Sequence, residues 1–106
     1  MRSKNEDTIV AQATPYGTGA ISIIRVSGFA SQKILKSILN EKTVVPNKIK
    51  FKKIFRNKNI LDDVQYVFYA SPKSYTGEDS FELFCHGNQI IVEKIKEYII
   101  EKSDWL

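Results

Sequence analysis

Residues 20–40, AISIIRVSGFASQKILKSILN, contain the change of period on which the fold turns. Ala20 to Val26 is rich in β-branched residues and predicts a mostly buried strand. Ser27-Gly28 punctuates it, and from Phe29 to Leu39 the apolar residues Ile34, Leu35, Ile38 and Leu39 recur at helical spacing. Asn40 stands where such a helix ends, and Pro46 confirms that a loop follows. A strand that feeds an amphipathic helix across one glycine needs further strands to cover the helix's apolar stripe.

Those strands are legible on both sides. Upstream, Thr8 to Ala13 (TIVAQA) predicts a strand that stops at the turn-rich run Thr14-Pro15-Tyr16-Gly17-Thr18-Gly19. Downstream, Lys48 to Arg56 (KIKFKKIFR) begins in alternation, with Ile49 and Phe51 on one face and lysines on the other. The doubled Lys52-Lys53 then shifts the phase, as a bulge or a strand end does. Asn57-Lys58-Asn59 is hairpin-turn chemistry, and Ile60 to Ala70 is the returning strand. Ser71 to Asp79 reads as a loop. Ser80 to His86 (SFELFCH) alternates Phe81, Leu83 and Cys85 against Glu82, Phe84 and His86. After Gly87-Asn88, Ile91, Ile95, Tyr98 and Ile99 mark a second helix to about Lys102. The order is β-β-α-β-β-β-α, an α+β domain with both helices on a mixed or antiparallel sheet.

Length and composition fit one globular domain over residues 1–106: 42% of residues are hydrophobic, 26% charged and 11% aromatic. Disorder, a membrane span and a secretory leader all lack their signatures. The single cysteine, Cys85, has no intramolecular disulfide partner, and no Cys/His cluster has zinc spacing. The expectation is a cytoplasmic, metal-independent domain that does not enter a membrane. The net charge of +4 is uneven: residues 1–58 carry twelve Lys/Arg against three acids, whereas residues 59–106 carry four lysines against nine acids. Drift in a chain rich in lysine, isoleucine and asparagine gives such a split, and so does a polyanion-binding or self-association face.

Few residues stand out chemically. The Gly17-Thr18-Gly19 turn lets backbone approach an anion, but it lacks the Gly-Lys-Ser/Thr of a phosphate loop and leads into a strand rather than a helix. Arg25 lies within an apolar strand, where alternation sets it beside Ile23 and away from Ile24 and Val26. It therefore either reaches solvent, meets an acid inside the fold, or forks onto a ligand carboxylate. Glu82 is the mirror case, a carboxylate among aromatic carbons that suits a ring N–H or amino group, an exposed strand face, or Arg25 itself. His86 reads as a capping or hydrogen-bonded residue, and Cys85 as a buried small hydrophobe. No nucleophile constellation surrounds them, so no catalytic residue is assigned. The basic stretch 48–58 holds six positive charges and no acid, a feature compatible with RNA contact.

Two longer motifs carry more information. DTIVAQATPYGTGAISIIRVSG (Asp7–Gly28) and SPKSYTGEDSFELFCHG (Ser71–Gly87), with Leu61-Asp62 between them, resemble the N-terminal signatures of the tRNA-modification GTPase family MnmE/TrmE. The resemblance covers essentially the whole chain. It implies a fold like the folate-binding domain of the glycine-cleavage aminomethyltransferase. It also implies a homodimer through this domain, and 5-formyl- or 5,10-methylene-tetrahydrofolate as cofactor and one-carbon source. In that family the wobble uridine of certain tRNAs receives an aminomethyl-type group together with a flavin-dependent partner, MnmG. The family's folate-contacting arginine falls on Arg25 and its glutamate on Glu82 rather than Glu78; a third contact, a lysine, falls beyond Leu106. The resemblance further implies an N-terminal fragment, with the helical domain and the GTPase domain (GTP, Mg²⁺ and K⁺) outside it and no GTPase activity of its own. Tyr16, Thr18 and Asn88 depart from the family pattern, Asn88 in place of a second glycine. Two other readings stand beside the folate one: an assembly module without independent folate binding, and a tRNA-docking domain built on residues 48–58.

Overall fold

In the computed structural model, which describes residues 8–14, 19–71 and 78–103, seven elements follow one another. They are strands β1 (Ile9–Gln12) and β2 (Ile21–Ser27), helix α1 (Ser31–Leu39), strands β3 (Lys50–Arg56), β4 (Asn59–Tyr69) and β5 (Ser80–His86), and helix α2 (Gln89–Ser103). The strands form one sheet in the order β1-β2-β5-β4-β3, antiparallel at every junction. Outside it, Pro46 makes a single parallel bridge to Phe68. This is the expected α+β architecture in the expected order. The turn at 15–18, the loop at 72–77 and Trp105 lie outside the described residues.

Alternation along the strands divides the sheet into two unlike faces. Ile24 and Val26 of β2, Phe81, Leu83 and Cys85 of β5, and Val64, Tyr66 and Phe68 of β4 pack against Ile34, Leu35 and Ile38 of α1 and Val92, Ile95 and Ile99 of α2. Both helices thus cover one face and close a single core. The other face carries Ile21, Ile23 and Arg25 of β2, Glu82, Phe84 and His86 of β5, and Phe51, Lys53 and Phe55 of β3. No helix among the described residues is long and apolar enough to cross a membrane.

Boundaries shift for identifiable reasons. Helix α1 begins at Ser31 rather than Phe29, because Gly28 adopts φ 137° and its carbonyl accepts from the Ser31 N–H at 3.1 Å. Asn40 ends α1 in the left-handed conformation expected of it, with φ 55° and ψ 45°. Asn57 and Lys58 both have positive φ, the geometry of a two-residue hairpin whose twist matches its strands.

The largest departure is in β3. Its alternation is unbroken: Lys52 and Ile54 face the helices while Phe51, Lys53 and Phe55 face the open side. The register shift falls instead on β4, where Leu61 is the extra residue between the pairs Ile54↔Asp62 and Phe55↔Ile60. Ile49 and Phe51, 63% and 76% exposed, both stand away from the core. Ile54 is the residue that enters the core, and Lys52 is tolerated beside it because its ammonium reaches Glu41 at 2.8 Å.

Asn88, the departure from the family's second glycine, caps α2. Its Oδ1 accepts from the Ile90 N–H at 2.9 Å and the Ile91 N–H at 3.4 Å, with no positive φ. Asn88→Ala is expected to cost about 1 kcal/mol, read as a lower urea midpoint with an unchanged slope; an unchanged midpoint would remove the cap from the account.

Candidate functional site

Arg25 and Glu82 are cross-strand partners on β2 and β5, at the centre of the open face. The Arg25 Nε donates to Glu82 Oε2 at 2.8 Å, and its Nη2 donates to the same oxygen. Glu82 Oε1 accepts from the Tyr69 hydroxyl at 3.3 Å. The arginine is the more accessible of the two, its side chain 43% exposed against 15% for the glutamate. Nη1 of Arg25 has no hydrogen-bond partner among the described residues. Burial, reinforced by the Glu82 carboxylate, pushes the Tyr69 phenol up from its ordinary value, so it remains a neutral donor. The pair therefore presents a guanidinium edge beside a carboxylate with acceptor capacity left, a donor–acceptor set complementary to an amide-like or aminopyrimidine ring edge. Glu78 is held one rung away, where its carboxylate accepts from the Ser27 hydroxyl at 3.1 Å.

Beside this pair the open face is hollowed. A groove of about 780 Å³ is walled by Ile21, Phe51, Phe55 and Phe84, with Lys53 and His86 among its polar groups. That volume and mixture of aromatic wall with few polar groups is typical of a small-molecule site. His86 is tied down by Asp62, whose Oδ2 accepts the His86 backbone N–H at 2.8 Å while Oδ1 meets the ring Nδ1. The Asp63 backbone N–H also donates to Oδ1, at 2.9 Å. Asp62 is nearly buried, its side chain 6% exposed, whereas that of His86 is 67% exposed. The sequence suggested a hydrogen-bonded histidine but not its partner. The sequence carries no local signal for that partner, since Asp62 reads like any other acid near a strand end.

Cys85, by contrast, is part of the core, and its Sγ donates to the Ser22 carbonyl. Burial first, and the Asp62 charge second, push its thiol up to about 11. It has the character of an inert packing residue.

The basic stretch changes meaning in three dimensions. Lys52 pairs with Glu41, Lys53 with Asp63 at 3.1 Å, and Arg56 with Glu97 and Glu101 on α2. Arg56 and Lys102 also lie over the Tyr98 ring, at 5.9 and 5.5 Å from its centroid. Two of these β3 cations, Lys53 and Arg56, thus join the basic first half to acids of the second, while Lys52 pairs within the first half.

The comparisons with known proteins agree with one another. The family described as "GTP-binding protein TrmE N-terminus" matches residues 8–104. A tRNA modification GTPase MnmE from Pseudothermotoga lettingae is 45% identical over 96 residues, covering 89% of this chain and 21% of that protein. Its namesake from Thermotoga maritima is 47% identical over 98 residues, covering 92% of the chain and 22% of the relative. One from Helicobacter pylori is 40% identical over 89 residues, 84% of the chain. The chain spans about a fifth of the length of the curated relatives it matches.

Proposed function

Because the chain belongs to the family formed by the N-terminus of the GTP-binding protein TrmE, we propose that it is the one-carbon-folate-binding and dimerisation domain of a tRNA modification GTPase. The single observation that carries the reading is the Arg25–Glu82 pair beside an aromatic-walled groove. Two residues singled out by their apolar surroundings and by the resemblance meet on one rung of the open face, and their chemistry suits the edge of a pterin. Bound there, 5-formyl- or 5,10-methylene-tetrahydrofolate supplies the one-carbon unit for the wobble uridine. Arg25 and Glu82 orient the ring, and Tyr69 steadies the carboxylate. Modification itself requires tRNA, the flavin-dependent partner MnmG and the GTPase domain with its GTP, Mg²⁺ and K⁺, in the cytoplasm.

Dimerisation is supported by a different observation. Ile9, Ile21, Phe51, Phe55 and Ile60 each expose half or more of their surface, and Ile21, Phe51 and Phe55 line the open face. A second copy laid on that face would remove these side chains from water and wall off the groove. The tRNA-docking reading draws less support, because three of the six positive groups in 48–58 are already ion-paired.

The test is calorimetric titration of 5-formyltetrahydrofolate into the full-length protein, with Arg25→Ala and Glu82→Ala as variants. Saturable binding in the wild type and its loss in both variants, with melting shifts modest because a part-exposed ion pair contributes about 1 kcal/mol, is the expected result. A folded dimer that binds no folate would leave assembly as the domain's role.

A further inference from the structure

The hydrogen-bonding capacity of the Arg25–Glu82 pair is unevenly spent, and the remainder is selective. A guanidinium laid against a carboxylate as a fork engages both oxygens. Here Nε and Nη2 of Arg25 both donate to Oε2 of Glu82, which fills the two acceptor positions of that oxygen. Oε1 accepts the Tyr69 hydroxyl at 3.3 Å and keeps one acceptor position. Burial first, and the Glu82 charge second, raise the Tyr69 phenol, so its proton stays on that oxygen throughout the neutral range. On the arginine the Nη1/Nη2 edge remains, two N–H groups side by side. Val67, the cross-strand partner of Glu82 on β4, shares the open face and is buried, and the Glu82 side chain is mostly covered. In so dry a place an unmatched donor or acceptor costs more than it does in water.

A ring edge that meets both residues is therefore read as acceptor against Arg25 and as single donor against Glu82. The pyrimidine ring of a pterin offers several edges. N3–H beside the 2-amino group reads donor twice; it needs two acceptor positions on Glu82 and finds one. N1 beside either the 2-amino group or N8–H reads acceptor and donor, but N1 has a single lone pair and leaves one N–H of the Arg25 edge unmatched. C4=O beside N3–H also reads acceptor and donor, and the carbonyl oxygen, with two lone pairs, takes both N–H groups. We propose that the site reads the C4=O/N3–H edge, the carbonyl accepting from Arg25 and N3–H donating to Oε1 of Glu82, and so selects 4-oxo pterins against 4-amino ones. This assignment rests on the folate reading above. In a 4-amino counterpart the amino group meets the donors of Arg25, and N3, stripped of its hydrogen, meets the free lone pair of Glu82. Both contacts turn from attractive to repulsive. The 2-amino group takes no part.

Calorimetric titrations of the full-length protein with 5-formyltetrahydrofolate, its 4-amino-4-deoxy analogue and its 2-desamino-2-methyl analogue test this. The 4-amino compound is expected to bind roughly thirtyfold more weakly than the parent, and the 2-methyl compound within about threefold of it. Glu82→Gln, whose carbonyl oxygen stays with Arg25, puts an N–H where the free acceptor stood. It is expected to remove the advantage of the parent over the 4-amino analogue. Equal affinity for those two ligands in the wild type overturns the edge assignment and leaves the folate reading intact. So does a larger loss at the 2-position than at C4, or an advantage that survives in Glu82→Gln. No binding of the parent by the folded wild type overturns the folate reading, and the edge assignment with it.

Discussion

Gly87→Ala is expected to destabilise the domain by about 3 kcal/mol or more, through contact between two main chains. A Cβ on Gly87 would stand 1.9 Å from the Gly19 carbonyl oxygen and 2.4 Å from its carbon, neither of which can rotate aside. Relief requires the segment before β2 to move off the end of β5. That movement breaks the bonds from Gly19 N–H to the Gly87 carbonyl, 3.0 Å, and from Gly87 N–H to the Ala20 carbonyl, 3.3 Å. Gly87 has no positive φ, so the requirement is close approach and not conformational freedom. A domain of this size holds about 5–15 kcal/mol in total, so the variant should show a much reduced urea midpoint. Because His86 and the α2 cap at Asn88 flank the site, loss of groove geometry should accompany it. A midpoint equal to wild type would mean that the two segments are not packed as described.

Gly87 also shows what sequence reading reaches. As punctuation between strand and helix it is obvious from Ser80–Asn88; that it also receives the backbone of Gly19 is a property of pairing between β2 and β5, some sixty residues apart. The same division runs through the molecule. Ser80–His86 and the Asn40 helix end were legible to the residue, because period and end chemistry are local signals. Which face of β3 turns inward was not legible, because Phe51 and Ile49 mark an apolar face but not which side of the sheet the helices occupy. In a sheet whose second face is itself partly apolar, the usual equation of apolar with inward fails. For the site, Arg25 and Glu82 were legible as out of place among apolar neighbours, and their mutual contact stood among the readings that alternation left open. Asp62 was not singled out chemically. Nothing local distinguishes a carboxylate that will bind a histidine on the next strand from one on a solvated edge.

Phe81→Ala is the complementary case, a change beneath the site that never touches it. Phe81 is fully buried on β5, with Val26 of β2 and Phe68 of β4 as its cross-strand partners, all within the single core. Truncating it removes the largest fully buried side chain among the described residues and leaves a cavity under the central strand, which is expected to cost about 3–5 kcal/mol. Since Glu82 is the next residue, and reaches Arg25 only because β5 is pinned between β2 and β4, loosening this strand should loosen the ion pair as well. The two lesions then separate by their signatures. Arg25→Ala is expected to lose folate binding with a small shift in melting, whereas Phe81→Ala should weaken binding and lower stability together, with saturating folate restoring part of the lost midpoint. Phe81→Ala that kept wild-type stability would show that the core does not hold β5 in register, and the placement of Glu82 against Arg25 would need another cause.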